Sequence, residues 1–177
     1  NYTQCSTLET RPFINHDYLL VGSSLCGGRA YALLERFFRE TAEIVSGKSI
    51  PNCYDAMSAI LETYPEPVDI PTMTPTFQGT RDEPDKRAHI SGLDTENFHP
   101  LHLIYATMYG IVDELHSMYK NYDNSSKSTF VLFGSGNGLR LNPYLRQIVE
   151  KRFHLPLILS SNQEEAACGA ALFAETN

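Results

Sequence analysis

The feature that most constrains this chain lies near its C-terminus. An apolar β-rich run, Thr129 to Phe133, meets the glycine-studded stretch GSGNGLRLN, and a helical pattern continues from Pro143 to about Phe153. A second apolar run, Leu157 to Ser160, leads into a last helix expected from Gln163. Strand, helix, strand, helix in so short a span favours parallel pairing of the two strands, with the first helix as the crossover. Asn142 is well placed as an N-cap with Pro143 at N1, which leaves Gly134 to Leu141 as a loop. Asn162 at N-cap and Glu165 at N3 form a capping-box pattern for the last helix.

Upstream, Tyr18 to Ser24 reads as a buried strand, and no clear element is expected before it. From Gly28 the residues Leu34, Phe37, Thr41, Ile44 and Val45 recur at helical spacing, with Leu33 and Phe38 widening the stripe. Glu35 and Arg39 form an i,i+4 pair expected on the opposite side, and Gly47 closes the helix as a C′ residue. A helix over Asn52 to Tyr64 precedes a long, proline-rich stretch from Pro65 to His99 in which short strands are expected. Leu101, Ile104, Met108, Ile111 or Val112, Leu115 and Met118 then line one face of a strong helix. A polar surface connection, Lys120 to Ser128, joins it to the C-terminal part.

The chain of 177 residues has room for one sizeable core or two small ones. Its net charge of −7 argues against a nucleic-acid backbone as partner. No apolar run approaches the ~20 residues that a membrane helix needs, and no signal peptide opens the sequence. Cys5, Cys26, Cys53 and Cys168 show no metal-ligand spacing and no disulfide pattern, so reduced, mostly buried thiols and a cytoplasmic setting are expected. The triplets at Asn1 and Asn124 then mark only exposed polar positions. The start, without Met, suggests a piece of something longer.

The glycines admit several readings. A dinucleotide fingerprint would need a third glycine where Leu139 stands, and its helix would have to start almost at once after the strand. The SGKS at Ser46 to Ser49 is no phosphate loop, because Ala42 replaces the required glycine and the segment ends a helix instead of opening one. LCGGRA and GSGNGLRLNP each come after a strand and open a helix, so both suit close approach of a nucleotide, and both equally suit tight turns. His102, Tyr109 and His116 fall seven apart on the long helix, a half-exposed face and no metal site. The cluster Arg81, Asp82, Glu83, Asp85, Lys86 and Arg87 suits a cleft wall or a solvated loop equally.

FGSGNGLRLNPYLRQ and the closing EEAACGAALFA resemble the C-terminal domain of the FGGY carbohydrate kinases, which pair a glycine-rich loop with a small-residue helix. TPTFQGTRDEPDKRAHISGL is similar to that family's P-x-x-x-G-E-R-x-P loop, with Thr80 where Glu is usual, and LCGGRAYALLERFF matches its glycine pair and helix. The resemblance runs from about Glu9 onward; within the family, sedoheptulokinases are most similar and xylulokinases next. It implies an α/β fold of the ribonuclease H-like, actin-like ATPase kind, lacking its first strand or two, with residues 1–177 as a C-terminal nucleotide-binding domain.

By the same resemblance, Gly138 and Asn142 face adenosine, Gly134 and Gly136 shape the loop, and Gly28 gives a backbone contact to the nucleotide. Ala32 stands where some relatives carry Gln toward the nucleotide, so the resemblance does not imply that contact here. Ala166, Ala167, Gly169, Ala170 and Ala171 imply close packing of the last helix. The family's catalytic Asp, phosphate loop and most sugar contacts precede the matched segment, so no catalytic residue and no metal ligand is assigned here. The resemblance further implies ATP with Mg²⁺ as cofactors and a ketose as substrate, sedoheptulose before xylulose, with this segment inactive alone. A non-catalytic nucleotide- or partner-binding module and a dinucleotide-dependent oxidoreductase are the rivals.

Overall fold

The computed structural model describes residues 8–13, 17–120, 131–162 and 164–176. It divides into two compact units, Asn1–Ser126 and Lys127–Asn177. The expected connection after Lys120, the first residues of the strand at Thr129, the triplets at Asn1 and Asn124, Cys5 and Gln163 lie outside the described residues.

The first unit opens with a hairpin that periodicity does not announce. Strand β1 (Glu9–Pro12) pairs antiparallel with β2 (Tyr18–Val21), Glu9 opposite Val21 and Pro12 opposite Tyr18. A four-residue strand ending in proline carries too little alternation to be read from sequence. Helix α1 (Gly27–Ser46) ends at Gly47, whose φ of 65° is the left-handed cap conformation and whose N–H donates to Glu43 O at 2.8 Å.

The face of α1 expected to be buried is covered only in part: Leu33, Leu34 and Phe38 are half-buried, and the rest is exposed. Ile44 and Val45 are 84% and 83% exposed, and Phe37 is exposed with them, whereas Glu35 retains only 6%. The helix instead meets the rest of its unit through Cys26 and Ala30, which cluster with Ile111. It also does so through Glu35, whose Oε1 accepts the Cys53 N–H at 2.8 Å and lies 3.7 Å from Arg39. A carboxylate bound to both a backbone donor and a guanidinium tolerates burial that an unpaired one does not.

Helix α2 (Tyr54–Thr63) buries Met57 and Leu61. The proline-rich stretch holds a short antiparallel pair, β3 (Thr72–Thr74) with β4 (His89–Ser91). Next comes a turn in which Asn97, buried, donates from Nδ2 to Gly92 O at 2.8 Å while its Oδ1 accepts the Asp94 N–H. Helix α3 (Pro100–Lys120), with proline at its first position, is the core of the unit. Its first three turns are buried on more than the one expected face, Leu103, Tyr105, Ala106 and Thr107 included, and the helix emerges only after Val112. Burying each of Ile104, Met108 and Val112 contributes about 1.5–3 kcal/mol. His102, Tyr109 and His116 are half-buried, in agreement with their spacing.

In the second unit, β5 (Leu132–Gly134) and β6 (Leu157–Leu159) pair in parallel, Leu132 opposite Leu157 and Gly134 opposite Leu159. The crossover between them comprises a short helix α4 (Asn137–Leu141) and α5 (Pro143–Phe153), with Ile148 buried beneath. Helix α6 (Glu165–Thr176) closes the chain. Cys26 is buried, Cys53 and Cys168 are half-buried, and all three are free thiols; burial pushes the Cys26 thiol up.

Gly110 shows how tightly α3 is seated. A Cβ there would lie 2.4 Å from the Met73 carbonyl oxygen, a backbone atom that cannot step aside. Gly110→Ala is expected to destabilise the first unit by about 1–3 kcal/mol, measured as a lowered urea midpoint; an unchanged midpoint would contradict the packing of α3 on β3.

Candidate functional site: the glycine loop and its supports

The loop after β5 is not the open stretch expected from Gly134 to Leu141. Helix α4 begins at Asn137, so only two residues, Ser135 and Gly136, separate strand from helix. Loop length therefore does not separate this loop from a dinucleotide turn. The sequence misleads here because a five-residue helix holding two polar residues and a glycine has no periodicity to display.

Each glycine in the loop has its own physical setting. Gly134 is buried, and a Cβ on it would meet side-chain atoms of Leu139 at 2.9 Å and of Leu157 at 3.0 Å; it is a packing glycine. Gly136 has φ 89°, a conformation that L side chains rarely adopt. Gly138 has neither reason. It sits in α4 without positive φ, is exposed, and has open space where a Cβ would be. Gly28, in the first unit at the start of α1, is likewise exposed with nothing within 4 Å.

Asn142 caps α5 as expected: its Oδ1 accepts the Leu145 N–H at 3.0 Å. Arg146, one turn on, donates to Leu139 O at 2.7 Å and Arg140 O at 3.0 Å, taking up carbonyls at the end of α4. The capping box of the last helix is not formed as read. Helix α6 starts at Glu165, and the Glu164 carbonyl accepts the Cys168 N–H, so Glu165 is the first helical residue and not the third. The Glu165 carboxylate instead receives the Arg140 guanidinium, which also donates to Asn162 O. Its pKa is held below the usual carboxylate value by its own backbone N–H first, then by Arg140 and by the Gly136 N–H.

A cavity of ≈370 Å³ opens in this unit at the carboxyl ends of β5 and β6, the end of a parallel sheet where ligands generally bind. Gly134, Ser135, Ser160, Asn162 and Glu165 line it; Gly136, Gly138 and Asn142 do not. A second cavity, ≈540 Å³, lies in the first unit between α3, β3 and the loop carrying the charge cluster. Its two cations face carboxylates of its own wall, Arg81 to Glu9 and Lys86 to Glu83. Arg81, Asp82, Glu83 and Lys86 of the expected cluster thus line this cavity, whereas Asp85, Arg87 and the sequence-predicted site residues do not. Among the described residues, no three His, Cys, Asp or Glu side chains cluster to hold a metal ion. Among the same residues, no helix is long and apolar enough to cross a membrane.

The profile of the FGGY family of carbohydrate kinases, C-terminal domain, matches residues 7–176. The chain belongs to this family. Human sedoheptulokinase is 30% identical over 166 residues, which cover 91% of this chain and 33% of that protein. Among solved structures, Plasmodium falciparum glycerol kinase with ADP is similar at a TM-score of 0.70 and 24% identity, over 96% of this chain and 33% of that one. The ligand-bound xylulose kinase of Lactobacillus acidophilus is similar at a TM-score of 0.69 and 18% identity, over 90% and 31%. The fold is therefore the α/β, actin-like ATPase architecture of these kinases, and this FGGY chain spans about a third of the length of the relatives it matches.

Sequence reasoning missed Arg140, Ser135 and Ser160, and it gave Glu165 the wrong task. The pairing of Arg140 with Glu165 is long-range and leaves no local pattern.

Asn142→Ala is expected to cost about 1 kcal/mol through loss of the cap, whereas Asn142→Asp retains it; denaturant titration of both variants checks this. For Glu165 the folded-state pKa is depressed, so its stabilisation is present above the ordinary value of 4.5 and is lost as the pH falls through the lower folded value. The stability difference between wild type and Glu165→Gln should hold at neutral pH and vanish in acid, as read by urea unfolding across pH. A difference that grew on acidification would contradict the geometry.

Proposed function

We propose that residues 1–177 are the C-terminal nucleotide-binding domain of an ATP-dependent carbohydrate kinase acting on a ketose, sedoheptulose giving its 7-phosphate in first place. On this reading Gly138 and Asn142 face adenosine, Gly134 and Gly136 set the loop, and Gly28 offers a backbone contact of its own. Mg²⁺ arrives with the nucleotide phosphates and is not held by this chain, and the setting is cytoplasmic. Phosphoryl transfer rests on positioning and charge neutralisation. None of the aspartates here matches the family's catalytic one, so this chain alone is expected to bind without catalysing.

The observation that carries the reading is Gly138. An exposed glycine inside a helix is about 0.5–1 kcal/mol less favourable than alanine, and nothing among the described residues of its unit requires one there. Space kept open beside a loop at the carboxyl ends of parallel strands suits a flat ring lying against backbone. The sedoheptulokinase relative and the ADP-bound glycerol kinase neighbour support the same choice of substrate class and nucleotide.

Calorimetry of this chain with Mg-ADP and with NAD tests the proposal. ADP should bind weakly, with Kd on the order of 1 mM, and NAD should not. Gly138→Ala should raise stability by about 0.5–1 kcal/mol while weakening ADP binding. Asn142→Asp keeps the cap but loses the amide donor, and should weaken it too. Binding of NAD without ADP would sink the kinase reading. With the complete protein, turnover of sedoheptulose ahead of xylulose and glycerol is the expected substrate order.

A further inference from the structure

Helix α4 is too short to hold itself together. Five residues make little more than one turn, well below the length at which a helix persists in water. Its end is secured by the Arg146 guanidinium on Leu139 O and Arg140 O. At its start, Gly136 stands at φ 89°, its carbonyl accepting the Arg140 N–H at 3.1 Å. The Glu165 carboxylate, at the start of α6, receives the Arg140 guanidinium, and Arg140 also donates to Asn162 O. One ion pair thus ties the short helix that follows the glycine turn to the last helix. Both side chains are partly withdrawn from solvent, Arg140 at 19% exposure and Glu165 at 29%.

We infer that Glu165, with Arg140 as its partner, is a positioning residue that fixes the glycine loop in the form that receives the nucleoside. This role rests on the proposed nucleotide site. Glu165 acts on the loop through Arg140 and α4.

The test uses this chain with Glu165→Gln, Arg140→Met, the double variant and Arg140→Lys. Amide exchange at Gly136 to Leu139, Mg-ADP affinity by NMR titration and the urea midpoint are measured for each. Glu165→Gln and Arg140→Met should each speed Gly136 exchange and weaken ADP binding about tenfold. The double variant should be little worse than either single one, because both cut the same link. Arg140→Lys, which keeps the charge, should recover part of the affinity, something a general loss of stability would not produce. If wild type binds no ADP, the nucleotide reading falls and this inference with it. If wild type binds ADP and both variants bind it equally, with Gly136 as protected as before, the positioning role alone is wrong. Should Glu165→Gln fail to fold, Arg140→Met breaks the link without touching the start of α6 and decides the matter.

Discussion

Two parallel strands cannot be joined by a tight turn, so the chain between Gly134 and Leu157 has to climb over the sheet before it can pair again. The site inherits its geometry from that crossing. Gly134 is pressed between Leu139, Leu157 and Leu159 because the strand must end directly beneath the start of the crossover. Gly136 reverses the backbone, and the short helix α4 absorbs the residues that a single longer helix would have displaced. Asn142 caps α5, Arg146 takes up carbonyls at the end of α4, and Glu165 holds the Arg140 guanidinium. A loop held this way presents backbone at fixed positions, which is the property a nucleoside site needs.

How much of this is legible in the sequence depends on range. The parallel pairing, the cap at Asn142, the left-handed Gly47 and the long core helix α3 rest on local pattern, and each is found. The resemblance to the FGGY kinases rests on motifs and agrees with the family match. Features that depend on partners distant in sequence cannot be read this way. Spacing puts Glu35 outside because a carboxylate normally prefers water; the Cys53 N–H and Arg39 reverse that preference. Glu165 fits a helix cap by its three-residue offset from Asn162, yet its partner Arg140 lies far upstream. The apolar stripe through Phe37, Ile44 and Val45 has the right period but no covering element among the described residues of its unit. Period tells which residues share a face, and only packing tells which face is covered.

The small residues of α6 illustrate the same limit. Ala166, Ala167, Gly169 and Ala170 imply close packing, yet in their own unit they are exposed, and only Glu165 and Cys168 turn partly inward. The first turn of the helix is tied to α4 through the Glu165–Arg140 ion pair. That pair links the start of α6 to the glycine loop, so a change at either should be felt at the other.

If the glycine loop is the nucleoside-facing surface of this FGGY domain, backbone NMR of the chain titrated with Mg-ADP should show it most directly, because each amide reports separately. The largest shift changes are then expected on Gly136, Gly138 and Asn142, with Gly134 moving little because it is buried under leucines. Changes centred instead on the cavity beside α3, around Thr76, Asp113 and Ser117, with the loop silent, would contradict that role and place the ligand in the other unit.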